Sequence, residues 1–475
     1  MIDPASSHRF LMRGAGMIGV LFFGLLTSTG ALAQQSELSP YSRYGFGLIG
    51  QLQAPAYAGL GGMETTLLNS YQFQPNNPAS ATYLSQTTFQ ASGIGNQMNL
   101  VQGDATARAA FGSPGPMGIV IKRNSGKNAL ILNISPYSNS GYAISRSDNY
   151  EGIGLATERY EGQGGLNALN LGWARVFKGT KSVQAGSDSI RIQRNALHLG
   201  VQSHYVFGQI SRTSTLDIID PTFLDHRNRF TAQHRSVTAT AGLVYDQLLF
   251  VEYNDRGDFE KSYSLRMGGV FTPATNLHSS LVSIDETTQT LGGIAVPLDT
   301  AFYSERLDFR GRMPMSLSLG SSLHFDRGDG MRLAAGVEYK TANWNDAASS
   351  FAPEMQSEGV EWLASESVHL GVQWNPGNAE QRHPTWGKAT YRVGLNRQLQ
   401  PYAVNGHQVQ TQAITGGFTL PLVGSRSLSR LHFGTELGER SSAAGALEET
   451  YVRIHFGVSL MPFFKNNWLI PRLYD

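Results

Sequence analysis

Apolar and polar residues alternate with a period of two along much of this chain. Near the C-terminus Val452, Ile454, Phe456, Val458 and Leu460 fall on one face, and Arg453, His455, Gly457 and Ser459 on the other. Just before them Leu431, Phe433, Thr435 and Leu437 oppose Arg430, His432, Gly434 and Glu436. The pattern returns with Leu333, Ala335, Val337 and Tyr339 against Arg332, Gly336, Glu338 and Lys340, and again with Val368, Leu370, Val372 and Trp374 against His369, Gly371 and Gln373. It recurs with Tyr391, Val393 and Leu395 against Arg392, Gly394 and Asn396. Successive side chains of a strand point to opposite faces, so each run is a strand with one apolar and one polar surface.

A soluble sandwich alternates in the same way. These runs, however, reach about ten residues, the length a tilted strand needs to cross a bilayer, against roughly five or six in soluble sheets. Their polar faces carry both charge signs and many glycines, as a crowded wet lumen does. Aromatics recur near strand ends (Tyr205, Phe207, Tyr245, Phe325, Tyr339 and Trp374), as an interfacial girdle places them. The expected fold class is all-β, a transmembrane antiparallel β-barrel of about 14 strands. The strands are expected at 86–97, 115–123, 127–147, 163–178, 193–213, 233–251, 262–285, 301–325, 329–344, 364–376, 387–398, 409–421, 428–439 and 449–461. The connections then split into short turns (124–127, 326–330, 423–427) and long loops (98–114, 148–162, 214–232, 286–300, 345–363). Short periplasmic turns and long outer loops are the habit of such barrels. The stretch 179–192 is long for a periplasmic turn, and the last outer loop is short.

The N-terminus reads as an export signal. His8, Arg9 and Arg13 precede an apolar core at Met17–Leu26, and Ala31-Leu32-Ala33 supplies a small-x-small cleavage site before Gln34. That core is too short to span a bilayer, and no later run is long and apolar enough to do so as a helix. A mature chain that crosses a membrane must then do so as a closed barrel. The segments expected are a signal peptide at 1–33, an N-terminal hatch or plug at 34–85, the barrel at 86–461 and a tail at 462–475. Residues 34–85 do not alternate and hold several prolines and glycines. Their many aromatics favour a folded plug over a disordered tail.

Composition adds exclusions. With 37 Lys+Arg against 36 Asp+Glu, the chain lacks the basic excess of a nucleic-acid binder. There is no cysteine, which removes disulfides, thiolate metal sites and Cys nucleophiles. No GxSxG, HExxH or P-loop pattern is present, so no enzyme activity, metal or cofactor is expected. His198 and His204 share a strand face, but six extended residues separate them by roughly 20 Å, too far to chelate one ion. Two Arg-Gly-Asp triplets, at Arg256 and Arg327, fall in expected turns, where Gly and Asp are common.

Several short motifs, in order, resemble the FadL/TodX-type outer-membrane transport family, and a less studied branch of it. They are Ser39-Pro40-Tyr41-Ser42-Arg43-Tyr44-Gly45, Gly59-Leu60-Gly61-Gly62-Met63 and Asn76-Asn77-Pro78-Ala79-Ser80, followed by Ser135-Pro136-Tyr137-Ser138. Tyr160-Glu161-Gly162-Gln163-Gly164-Gly165-Leu166-Asn167, Tyr205-Val206-Phe207-Gly208 and the tail Trp468-Leu469-Ile470-Pro471-Arg472 complete the set. The resemblance implies an outer-membrane location in a Gram-negative cell and a hatch motif at Asn77, Pro78 and Ala79. It also implies passage of a hydrophobic small-molecule ligand that enters from outside and leaves sideways through the wall. That lateral portal is placed at Ser135, Pro136 and Tyr137, because proline cannot donate to a strand ladder. A proline at a strand end beside a turn is the equal alternative.

The lumen-facing set expected from parity is Arg332, Glu338, Lys340, His369, Arg392, Arg430, His432, Glu436, Arg453 and His455, with His324 beside it. Buried charges need partners, so cross-strand networks that fill and stiffen the barrel are the favoured reading. A path for polar or anionic headgroups is the other. The leading function is passive transport of small hydrophobic molecules through a hatch-gated lumen, with outer-membrane lipids around it. The alternative is a partner barrel that binds a secretion-system or surface protein without transporting. A lipid-acting barrel enzyme comes third. A filled polar lumen favours the partner, and a ligand-sized apolar cavity above the hatch favours transport.

Overall fold

The computed structural model describes residues 39–50, 53–122, 126–186, 188–220, 222–291, 294–345, 359–377, 386–422, 428–443 and 446–461. The signal sequence, the tail motif at 468–472 and the turn at 423–427 lie outside them. Between residues 88 and 460 the described chain is a closed antiparallel barrel of fourteen strands. In chain order these are β1 (Thr88–Gln102), β2 (Ala105–Pro114 and Met117–Lys122), β3 (Asn128–Tyr150), β4 (Gly154–Ala185) and β5 (Asp188–Ile218). Next come β6 (Asp225–Tyr253), β7 (Phe259–Thr272 and Thr275–Leu291), β8 (Ile294–Met313 and Met315–Arg327), β9 (Arg332–Asn343) and β10 (Val360–Trp362 and Ser365–Asn375). The wall ends with β11 (Thr390–Val404), β12 (His407–Pro421), β13 (Arg430–Ser441) and β14 (Glu448–Leu460). β14 pairs with β1 from Glu448↔Val101 to Leu460↔Phe89 and closes the ring.

Three of the split strands break beside prolines. Pro116, Pro273 and Pro314 each stand in or at a gap, since a proline offers no N–H to the ladder.

The alternation settles into an outer apolar band and an inner polar face. Leu171, Val201, Val237, Leu243, Leu319, Leu323, Val393, Ile414 and Ile454 are all exposed on the outside. Asn170, Gln202, His234, Glu338, Arg392, His432 and Arg453 are buried inside. At the short-turn end the rings gather into a girdle. Trp374 lies 5.7 Å from Tyr391, Tyr263 4.9 Å from Phe325, and Phe418 5.0 Å from Phe433. Tyr205 and Phe207 stack at 5.6 Å nearer the other end. Both Arg-Gly-Asp triplets lie in turns of the short-turn end, where Gly257 N–H donates to Asn254 O and Gly330 N–H to Arg327 O.

The expected long loops need correction. Most of 98–114, 148–162, 214–232 and 286–300 continues the strands as tall hairpins, with tight turns at 103–104 and 151–153. The stretch 179–192 is likewise hairpin, paired from Thr180↔Gln193 to Ala185↔Asp188. Beyond the membrane both faces of a hairpin meet water. The apolar face is then no longer required, and the period of two fades while the backbone ladder continues.

Residues 39–50 and 53–85 pack against the inner face of the wall. Tyr41, Phe46, Tyr57, Leu60, Met63, Leu67, Phe73 and Leu84 are all buried. Their seat is a belt of inward glycines, one on each of ten consecutive strands. Gly200, Gly242, Gly268 and Gly320 lie on β5 to β8, and Gly336, Gly371, Gly394, Gly417, Gly434 and Gly457 on β9 to β14. A methyl group on Gly200 would stand 2.5 Å from Ala79 N, and one on Gly394 2.2 Å from Gly61 N. The barrel is thus narrowed to backbone where the N-terminal backbone runs against it.

Candidate functional site

Two features share the interior: the anchoring of the N-terminal segment and an interruption in the wall. Asn77 sits at the head of a short 3-10 turn, Pro78–Thr82, and its Oδ1 accepts from Ala79 N–H at 3.0 Å. Its Nδ2 donates to Glu64 O at 2.9 Å. Pro78 at the first position of the turn fits its fixed φ. Glu338 on β9 accepts three bonds through one carboxylate oxygen, from Glu64 N–H and Thr65 N–H, both at 2.8 Å, and Thr65 Oγ1–H at 2.7 Å. Lys340 on the same strand meets Glu64 at 2.7 Å. His369 Nδ1 lies 2.5 Å from Gly61 O, and Gly61 N–H donates to Thr415 Oγ1 at 2.8 Å.

The remaining expected lumen residues divide. Arg453 pairs with Glu436 at 3.2 Å, Tyr451 O–H donates to the same carboxylate at 2.7 Å, and His455 stands 3.9 Å from it. Arg392 donates to Gln373 and Thr419, and His432 bridges Thr419 and Ser459. His324 contacts Ser322 at 2.9 Å. Arg430 is half-buried at the short-turn rim, its guanidinium 4.2 Å above the Tyr71 ring. Arg332 is a correction, since its side chain is 72% exposed and reaches Asp326 at 3.5 Å outside the lumen. It has inward parity, yet it is the first residue of β9, where there is no lumen left to face.

Sequence parity missed a second anchor because its members come from four separate places. Tyr83 O–H donates to Asp246 at 2.7 Å, and Arg266 meets the same carboxylate at 3.1 Å. His198 stacks on the Tyr83 ring at 4.1 Å and contacts Thr82 Oγ1 at 2.5 Å. His204 bonds Asn170 and Thr240 instead, so the two strand-sharing histidines serve different neighbours. A third anchor is the buried pair Arg440–Glu449 at 2.9 Å, joined by Ser39 Oγ–H, which donates to Glu449 at 2.6 Å.

The wall interruption lies between β2 and β3. The lower piece of β2 pairs with β3 from Lys122↔Ala129 to Met117↔Ile134. Above Pro116 the upper piece pairs only with β1, from Gly93↔Pro114 to Gln102↔Ala105. Beyond Ile134, among the described residues, the β2-facing edge of β3 has no barrel partner. On its other edge β3 stays paired with β4, with a bulge at Tyr137 between Pro136↔Asn167 and Ser138↔Leu166.

The bare edge is met from within. Leu48 and Ile49 pair with Asn139 and Ser138. Ser39 N–H donates to Gly141 O at 2.9 Å, and Ser42 Oγ accepts from Gly141 N–H at 2.9 Å. The two serine-proline-tyrosine-serine motifs therefore lie on opposite sides of one seam. On β4, Gly164 has φ +112° and backs onto Gln209 O, which a methyl group would approach to 2.0 Å. That explains a glycine in this part of the motif without invoking chemistry.

A cavity of about 250 Å³ opens on this seam. Pro116, Ser135, Pro136 and Tyr137 line its wall side, Val206, Met313 and Trp344 its apolar side, and Glu64, Lys340 and His369 its floor. Among the described residues, no group of three His, Asp or Glu side chains is placed to hold a metal.

No curated protein matches by sequence. Among solved structures, the CymD monoaromatic hydrocarbon channel aligns with 89% of this chain and 99% of its own at 14% identity and a TM-score of 0.48. The toluene transporter TbuX of Ralstonia pickettii aligns with 86% of this chain and 98% of its own (11% identity, TM-score 0.48). A Pseudomonas aeruginosa FadL homologue aligns with 87% and 98% (12% identity, TM-score 0.49). At such scores the barrel assignment rests on the strand register itself. A family model described as BamG matches residues 17–475, which is nearly the whole sequence, and the chain belongs to the BamG family.

Proposed function

We propose that this barrel admits a small, mainly hydrophobic molecule to the cavity above its N-terminal plug and exchanges it sideways through the seam between β2 and β3. The observation that carries this reading is the end of β2–β3 pairing at Met117↔Ile134, beside a cavity lined by Ser135, Pro136 and Tyr137. An apolar space of about 150 Å³ holds a single aromatic ring. The 250 Å³ here accommodates a molecule of that class with a polar substituent against Lys340 or His369. Axial flow is not part of the proposal, because the plug backbone fills the glycine belt. The short-turn end is taken as periplasmic and the tall hairpins as external.

The test is flux of single-ring aromatic compounds into proteoliposomes carrying the full barrel. Ser135→Trp, which fills the cavity at the seam, should lower flux, and Tyr137→Ala, which enlarges it, should raise it. Both variants must show the heat-dependent gel shift of a folded barrel. Unchanged flux in both folded variants refutes the lateral route.

A second reading is favoured by the same glycine belt. A plug held by ten strands and three buried polar clusters suits a scaffold that presents its hairpins and outer wall to a protein partner. Chemical crosslinking in native outer membranes separates the two. A stoichiometric protein partner, together with no aromatic flux, favours the scaffold.

A further inference from the structure

We infer that the outer wall of β6, β7 and β8 carries a binding site for the phosphate of a membrane glycolipid, at the rim away from the short turns. The site is a row of cations fixed by register. Arg235 on β6 stands opposite His278 on β7, and His278 stands opposite Arg310 on β8. Arg312, two residues along the strand from Arg310, pairs with Asn276. Neighbouring strands lie about 4.8 Å apart, so the row spans roughly 10 Å from Arg235 to Arg310.

These side chains point outward, not into the lumen. Outward positions on β6 are odd-numbered, with Val237 and Leu243 exposed, while His234 and Ser236 are buried. Arg235, His278, Arg310 and Arg312 are all exposed. Asp308 tempers the charge, meeting Arg310 at 3.3 Å and His278 at 3.5 Å. Among the described residues no carboxylate pairs with Arg235 or Arg312, so the row keeps a positive excess.

The height of the row identifies the ligand. On β6 the outward residues run Tyr245, Leu243, Ala241, Ala239, Val237 and then Arg235. Ten residues of tilted strand cover roughly 25 Å, the height of the apolar band of such barrels. Arg235 therefore stands where hydrocarbon ends and headgroups begin. A groove beside it is lined by Tyr205, Phe207, Gln233 and Leu307, which gives an acyl chain or sugar a flank. On β10 to β13 the exposed outward residues that follow the apolar run are mixed in sign or acidic: Glu366, Arg397, Gln412 and Glu439. The cation excess of the β6–β8 row is not shared by β10 to β13, as a discrete lipid site requires and a general headgroup attraction does not.

The experiment uses the full barrel in detergent, titrated with purified lipopolysaccharide and read by native mass spectrometry. The triple variant Arg235→Gln, Arg310→Gln, Arg312→Gln is compared with Arg397→Gln, an exposed outward cation on β11 away from the row. At about fivefold per cation near a membrane surface, the triple variant should bind roughly a hundredfold more weakly. Arg397→Gln should bind as the unmodified barrel does, and dephosphorylated lipid should lose as much as the triple variant. All variants must keep the gel shift of a folded barrel. Equal binding by the folded triple variant, or equal binding of dephosphorylated lipid, overturns the inference. Displacement of the lipid by equimolar inorganic phosphate also overturns it, since the site would then be one for free anion.

Discussion

Replacing Gly394 with alanine tests the belt that seats the N-terminal segment. The added methyl would lie 2.2 Å from Gly61 N and 2.4 Å from Leu60 C. Both are backbone atoms, so the segment and not a flexible side chain must move. Overpacking of this kind costs about 1–3 kcal/mol. Moving Gly61 also lengthens its bond to Thr415 Oγ1, now 2.8 Å, worth about 1 kcal/mol. Against this, alanine loses less chain entropy than glycine, a gain of about 0.5–1 kcal/mol. The balance is about 2 kcal/mol, or roughly 30-fold in an opening equilibrium.

The assay is amide hydrogen exchange by mass spectrometry on peptides covering 57–66, in the folded barrel. Exchange there should quicken roughly 30-fold while peptides of β12 and β13 keep their protection, because the wall itself loses no ladder bond. Gly95→Ala is the control. Gly95 lies in β1 with no heavy atom within 4 Å of an added methyl, so the same substitution should leave exchange unchanged or slightly slower. If Gly394→Ala and Gly95→Ala behave alike, the inward glycines are not a seat, and the reasoning fails.

Three further outcomes follow from the buried polar anchors. Glu338→Ala strands three donors that now share one carboxylate oxygen, and should release the N-terminal segment to limited proteolysis at a cost of about 3 kcal/mol; unchanged cleavage of residues 60–70 would contradict this. Arg440→Met alone leaves Glu449 buried and unpaired, costing about 3–5 kcal/mol, whereas Arg440→Met with Glu449→Leu should recover most of it. Thermal unfolding of the single and double variants decides that point, and a double variant as unstable as the single one counts against it. Tyr83→Phe removes one bond to the Asp246 carboxylate and should cost about 1.5 kcal/mol in the same measurement, with the β5 and β6 strands intact.

How far the sequence speaks depends on what enforces its pattern. Within the membrane, lipid on one side and water or the packed N-terminal segment on the other demand alternation, so the strands carrying Val393, Leu395, Ile454 and Phe456 are visible from residue types alone. The same strands beyond the band have water on both faces, and residues 98–114 and 286–300 keep their ladder while losing the signal. Parity finds Glu338, His369, Arg392 and Arg453 inside, but it carries no height, which is why Arg332 counted as lumenal when it stands at the rim.

Glycine shows the same limit more sharply. Gly371, Gly394 and Gly434 are visible as polar-face residues, yet nothing local says that another backbone lies against them. Only the closed ring brings one glycine from each of ten strands into a single belt. The Pro136 motif is visible as a proline inside a strand, and β3 runs through it with only a bulge at Tyr137. Its partner across the seam is a run nearly a hundred residues earlier, Ser39 to Ser42, that alternation does not mark at all. The legible part of this molecule is therefore what the solvent imposes residue by residue. The candidate site is what the chain imposes on itself at long range, where Gly141 on the bare edge of β3 takes Ser39 and Ser42 as partners in place of β2.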